Sequence, residues 1–185
     1  MNLYNYDVIL NDLIQEVAPL YGSDRMTYHI NPVVKNALRL AEKLGADKEV
    51  VELASYLHDI TRVTGDKENH HNSSAEWAVQ FLKKYNYPAE KINLVEKAIR
   101  HHRGSVEFKR ETVEEKIVAT ADSMAHIQCP ATFFHKWYKE ERVSLEMGIQ
   151  KTKEKMARSW RKIEFDFVKE EMQGYYDYLQ KEVLK

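Results

Sequence analysis

The chain has 185 residues, 43% apolar and 31% charged, enough for one domain with a hydrophobic core and too apolar for a disordered chain. Its 28 basic and 29 acidic residues leave a formal charge of −1, so bulk electrostatics draw it neither to nucleic acid nor to a membrane surface. Six glycines and four prolines interrupt the whole chain, and apolar positions recur with a period near four, which predicts an all-α protein.

A first helix is expected from Tyr4 to about Leu20, with Tyr6, Ile9, Leu10, Leu13, Ile14 and Val17 on its buried stripe. Tyr21-Gly22-Ser23-Asp24 breaks it. His29 follows, just ahead of Pro32, which suits the first turn of a second helix carrying Val33, Val34, Ala37, Leu38, Leu40, Ala41 and Leu44. Gly45 ends that helix and Asp47 caps a third, whose face of Val50, Val51, Leu53, Ala54 and Leu57 delivers His58-Asp59. A polar connection, residues 61–69, leads to His70-His71 and a helix with Ala75, Trp77, Ala78, Phe81 and Leu82. Pro88 opens the next helix, with Ile92, Leu94, Val95, Ala98 and Ile99, and His101-His102-Arg103-Gly104 closes it. Thr112 with Glu115 three residues on is a capping-box pattern, and the helix behind it sets Asp122 on or beside an apolar face. Beyond Pro130, one or two long aromatic-rich helices are expected to run to Lys185. Residues 1–130 thus form one helical domain, and 131–185 a helical extension packed on it.

Nothing in the composition suggests secretion. Cys129 is the single cysteine, so no internal disulfide or cysteine zinc site is available. The N-terminal MNLYNYDVILNDLIQEV has acidic residues where a leader peptide needs a basic segment and an apolar core. No run approaches the roughly 18 apolar residues of a membrane span. A reducing cytoplasm is the default location.

A histidine at a helix end has an ordinary explanation in the helix dipole, and an aspartate beside a core can be a hydrogen-bonded buried group. The ordered set is harder to explain that way: His29, His58-Asp59, His70-His71, His101-His102 and then Asp122, each at a helix end or on a helix face. Imidazole and carboxylate together suit a divalent transition metal.

The order and spacing resemble the HD-domain superfamily of metal-dependent phosphohydrolases, over about Thr27 to Ile127. The motifs are H-x3-V at His29 to Val33, L-A-x2-L-H-D-I at Leu53 to Ile60 and H-x3-S-A at His70 to Ala75. A-I-x2-H at Ala98 to His102 and E-K-I-V-x2-A-D at Glu115 to Asp122 complete them. The resemblance implies that His29, His58, Asp59 and Asp122 hold one metal. It implies that His70 and His102, favoured over His71 and His101 by spacing, join a bridging Asp59 around a second. One or two divalent ions are implied, with manganese, iron, cobalt, nickel, zinc and magnesium all open. Such an ion lowers the pKa of bound water and withdraws charge from phosphoryl oxygens. Asp59 would orient the water, and Arg62 and Arg103 would offset charge on the phosphate. The competing reading for both arginines is a solvated surface position. Thr61 stands where many relatives carry glycine, which bears on the pocket entrance.

The remaining polar residues get blander expectations. Lys116 is assigned to a structural, capping or surface role and His135 to surface or packing, while His126, one turn after Asp122, either faces the site or lines a helix–helix contact, the contact being favoured. The Lys151-Thr152-Lys153-Glu154-Lys155 run reads as a solvated face, and the C-terminal aromatics as core or a homo-oligomer contact rather than a base-stacking platform.

The leading functional expectation is a metal-dependent phosphohydrolase acting on a phosphomonoester or phosphodiester in a small molecule, a nucleotide first among them. The alternatives are a di-iron oxygenase on the same scaffold and a non-catalytic metal- or nucleotide-binding regulatory module.

Overall fold

The computed structural model describes residues 4–104 and 109–184, and these are helical with no strand among them. Asn5 caps α1, Tyr6–Arg25, by accepting a hydrogen bond from the Val8 amide, and Ile9, Leu13, Val17 and Tyr21 form its buried stripe. The expected break falls at Gly22, whose φ of 74° and ψ of 164° kink the helix, and one further turn carries the chain to Arg25. A wider π-helical turn, Met26–Ile30, then joins α1 to α2, Asn31–Leu44, and His29 sits inside that turn. Such bulges in otherwise regular helices often occur at functional sites.

Gly45 ends α2 in the left-handed conformation (φ 68°), and Asp47 caps α3, Lys48–Leu57, through the Val50 amide. The expected polar connection contains a short helix instead. Ile60, almost fully buried, anchors α4, Ile60–Thr64, and Gly65 (φ 129°) stops it. Next come α5, His70–Lys84, starting on His70 itself, and α6, Ala89–Arg100, which opens after Pro88.

The central helix is α7, Val113–Gln128, which packs against α2, α3 and α6. Thr112 and Glu115 close the capping box at its N-terminus in both directions. It is buried on nearly all sides, so Asp122 reaches the middle of the molecule.

The C-terminal part is more broken than one or two long helices. It comprises α8, Ala131–Phe134, running into a π-helical turn to Glu140, then α9, Leu145–Lys162, and α10, Asp166–Tyr178, with a last π-helical turn to Val183. Arg142 adopts φ 53°, a left-handed step that ends the first piece, and Ser144 caps α9 through the Met147 amide. Extended backbone at Ile163 separates α9 from α10. The end at Lys185 lies outside the described residues. α9 packs on α7, and one hydrophobic cluster takes residues from Ile9 through Leu184. Phe133, Phe134, Trp160, Phe165, Phe167 and Tyr176 lie against that cluster, with Trp160 stacked on Tyr176.

Candidate metal centre

Three histidines reach the centre from helix ends in the same manner. The His58 ring Nδ1 lies 2.8 Å from the Ser55 carbonyl, His70 Nδ1 3.1 Å from that of Lys67, and His102 Nδ1 2.6 Å from that of Ile99. In each case the Nδ1–H donates to the carbonyl three residues back, one that the helix end or turn leaves available. That bond fixes the tautomer and leaves the Nε2 lone pair pointing into the site. His29 meets them from the π-helical turn, its Nε2 3.3 Å from that of His58.

The carboxylates organise these nitrogens into two groups. Asp59 Oδ2 lies 3.8 Å from His29 Nε2 and 3.9 Å from His58 Nε2. Its other oxygen, Oδ1, lies 3.3 Å from His70 Nε2 and 3.6 Å from His102 Nε2. Asp122 Oδ1 faces the first group, 3.5 Å from His29 and 3.7 Å from His58. All six side chains are buried. Nitrogen and carboxylate oxygen donors converging in this way fit divalent transition metals: His29, His58 and Asp59 form one group that could hold an ion, Asp59, His70 and His102 another, and His29 and Asp122 with His126 a third.

The second members of the histidine doublets turn elsewhere. His71 Nδ1 lies 3.4 Å from the Arg103 guanidinium, and His101 Nδ1 lies 2.5 Å from the Glu115 carboxylate. Arg103 also donates to the Glu68 carbonyl. Arg62 is closer to the centre, its Nε 3.9 Å from Asp59 Oδ2. The Thr61 hydroxyl is engaged within the protein. It bonds with Ser73, Ser74 and the His70 carbonyl, tying α4 to the start of α5.

Three residues given no part in the site by sequence, and one left between the site and a helix contact, lie at or beside it. Arg25, one turn ahead of His29, donates to Asp59 Oδ2 at 2.5 Å. His126, for which sequence favours a helix contact over the site, stacks on His29 and puts its Nε2 3.5 Å from Asp122 Oδ1. Lys162 donates both to Asp122 Oδ2 and to the His102 carbonyl. Lys155, expected on a solvated face, is half-buried, with Nζ 5.7 Å from the Phe133 ring centre. The run it ends is not a solvated face, for Thr152 is fully buried and bonded to the Trp137 indole. A signal existed: Thr152, Lys155, Ser159 and Lys162 follow the three-and-four spacing of one helix face.

Burial dominates the protonation of the site. It pulls the imidazole of His29 down to about 3 and that of His102 to about 4, against the pull of the carboxylates. It lowers His70 as well. Burial works to raise the Asp59 and Asp122 carboxyls, but the facing cations and imidazoles outweigh it and hold both well below the usual carboxylate range. Burial, with Lys162 and Arg62 nearby, draws the Lys155 amine down to about 7. Neutral imidazole and ionised carboxylate are the forms that ligate metal.

The HD domain family model matches residues 27–126, more than half of the chain, and the chain belongs to that family. It is 32% identical over 116 residues to the tRNA (cytidine(56)-2'-O)-methyltransferase of Picrophilus torridus, covering 56% of this chain and 32% of that protein. Against ribonuclease Y of Fusobacterium nucleatum the identity is 34% over 105 residues, covering 57% of this chain and 19% of that one. The chain thus spans a third or less of the length of these two relatives. Among solved structures, one described as a predicted HD superfamily hydrolase, from an uncultured Thermotogales bacterium, matches with a TM-score of 0.56. That match covers 91% of this chain and 90% of the other at 24% identity, a likeness of fold. No helix among the described residues is long and apolar enough to cross a membrane.

Proposed function

We propose that this chain is a metal-dependent phosphohydrolase acting on a phosphate ester of a small molecule, with nucleotides the first class to test. The observation that carries this reading is the posture of Asp59, which offers one oxygen to His29 and His58 and the other to His70 and His102. A single carboxylate shared in this way, with Asp122 completing the first group, is what a pair of adjacent divalent ions requires. Such ions, when bound, supply a water acidic enough to attack at neutral pH and draw charge from phosphoryl oxygens.

The chain's own residues do the rest. His58, His70 and His102 are held in the ligating tautomer by their carbonyl partners, so no reorientation is needed on loading. Asp59 would be shared between such ions and would orient the attacking water as a positioned base. Arg62, beside Asp59, offsets charge building on the phosphoryl oxygens. Arg103 keeps residues 68–71 in place through the Glu68 carbonyl and His71, and contributes its charge at longer range. The match to part of a ribonuclease agrees with phosphoester cleavage on this scaffold.

The test is metal analysis of the purified protein together with hydrolysis of mono- and bis-p-nitrophenyl phosphate and a nucleotide panel. Each assay is repeated after chelation and re-addition of manganese, cobalt, nickel or iron, with Asp59→Ala as the control. Metal-dependent hydrolysis that disappears in Asp59→Ala is expected. Bound metal with no turnover of any phosphate ester would overturn the reading in favour of an oxygenase or a binding module.

A further inference from the structure

The inward face of α9 does not look like a core-packing face. Thr152, Met156 and Ser159 are buried on it, yet Lys155 and Lys162 share it. Ser159 Oγ lies 3.5 Å from His126 Nδ1, so this face is laid directly against the metal centre. The path from Asp122 runs through His126 to the Phe133 ring, 5.3 Å away between centroids, and from Phe133 to the Lys155 ammonium.

The charges on this wall do not balance internally. Asp122 is taken by Lys162 and Asp59 by Arg25, while Lys136 at the rim has Glu141 at 3.7 Å. Among the described residues Lys155 makes no ion pair, although it is half-enclosed and near enough to the centre for the charges of Asp122, Lys162, Arg62 and Asp59 all to act on it. An ammonium kept in such a place without a carboxylate is costly unless an anion arrives. Metal ions would neutralise Asp59 and Asp122 further and leave the wall more positive still. A phosphomonoester carries close to two negative charges at neutral pH, and a phosphodiester only one.

Resting on the phosphohydrolase reading above, we infer that Lys155 is a substrate-binding residue which, with Arg62, holds the doubly charged terminal phosphate of a phosphomonoester. Lys162 is a positioning residue acting through Asp122. The site is therefore set for a terminal phosphate, and a phosphodiester, with a second ester group in place of an anionic oxygen, leaves Lys155 without its partner.

The experiment uses the full chain loaded with manganese. Inorganic phosphate binding is measured by calorimetry, and KM and kcat with p-nitrophenyl phosphate and bis-p-nitrophenyl phosphate, for the wild type, Lys155→Met, Lys155→Gln and Lys155→Arg. Bound metal is quantified for each. Loss of one charge-assisted hydrogen bond predicts about tenfold weaker phosphate binding and about tenfold higher monoester KM in Lys155→Met and Lys155→Gln. Metal content and diester turnover stay within about twofold, and Lys155→Arg recovers most of the loss. Phosphate binding unchanged by both neutral variants overturns the inference, as does an equal loss on monoester and diester or a loss of metal. Turnover that ignores Lys155 leaves the hydrolase reading intact and removes this inference. If no ester is cleaved but phosphate binding still falls with Lys155, the hydrolase reading fails and the anion-holding role of Lys155 stands.

Discussion

Asp59 is the residue on which most depends, because its two oxygens face different partners. If it bridges two ions, Asp59→Asn empties both positions, whereas His70→Ala removes a ligand from one. Metal analysis is expected to show about two ions per chain in the wild type, about one in His70→Ala and close to none in Asp59→Asn. Equal loss in both variants would remove the bridge. Lys162 gives a prediction of opposite logic. Lys162→Met in metal-free protein leaves the Asp122 carboxylate buried without its cation, and breaking such a pair costs on the order of 3–5 kcal/mol. Bound metal supplies replacement charge, so the destabilisation seen by denaturant unfolding is expected to shrink on loading. The convergence of His29, His58, Asp59, His70, His102 and Asp122 was readable in sequence because short motifs recur in order at helix ends and on helix faces. Arg25 and Lys162 were not, for a long flexible side chain reaches the site from a position whose neighbours carry no motif.

At the level of elements, the helices with strong caps and clean periodicity are where the sequence places them. Thr112 is the plainest case: its hydroxyl accepts from the Glu115 amide while the Glu115 carboxylate accepts from Thr112. Thr112→Ala is expected to cost about 1 kcal/mol in urea unfolding, and more than that would mean α7 depends on its cap for its position as well. Gly65 is the second case. With φ at 129°, it occupies backbone that a Cβ strains, and Gly65→Ala is expected to destabilise by roughly 1–2 kcal/mol. A thermal midpoint unchanged in that variant would show that the turn relaxes freely. The short α4 escaped the sequence reading because a five-residue helix has no periodicity to detect; burial of Ile60 holds it. The breaks at Arg142 and Ile163 escaped for another reason: neither is a glycine or proline, and tertiary packing rather than local preference sets their backbone.

The molecule as a whole gathers its protonation demands in one place. His29 and His102, held to about 3 and about 4 against an ordinary 6.5, stay neutral in the folded metal-free chain where the unfolded chain would take up protons. The folded state therefore binds fewer protons between roughly pH 6.5 and 3, and stability is complete above that window and falls as pH drops through it. Thermal midpoints of metal-free protein are expected to be flat near pH 7 to 8 and to decline steadily from about pH 6 toward 4. A midpoint that holds constant down to pH 4 would contradict neutral buried imidazoles. Added metal that binds only the folded chain is expected to raise the midpoint progressively with its concentration.

The family match ends at residue 126, and α9 begins at Leu145. Ligand donors and the ammonium groups that bear on them therefore come from opposite sides of that boundary. The proposed ligands lie in one segment; the second carries Lys155, assigned above to the substrate, and through Lys162 it also touches two of those ligands, Asp122 and His102. A helix outside the matched residues thus bears on both ends of the proposed chemistry, and an α9 exchanged for another sequence has to keep a cation at position 162 if Asp122 is to stay paired while position 155 is varied.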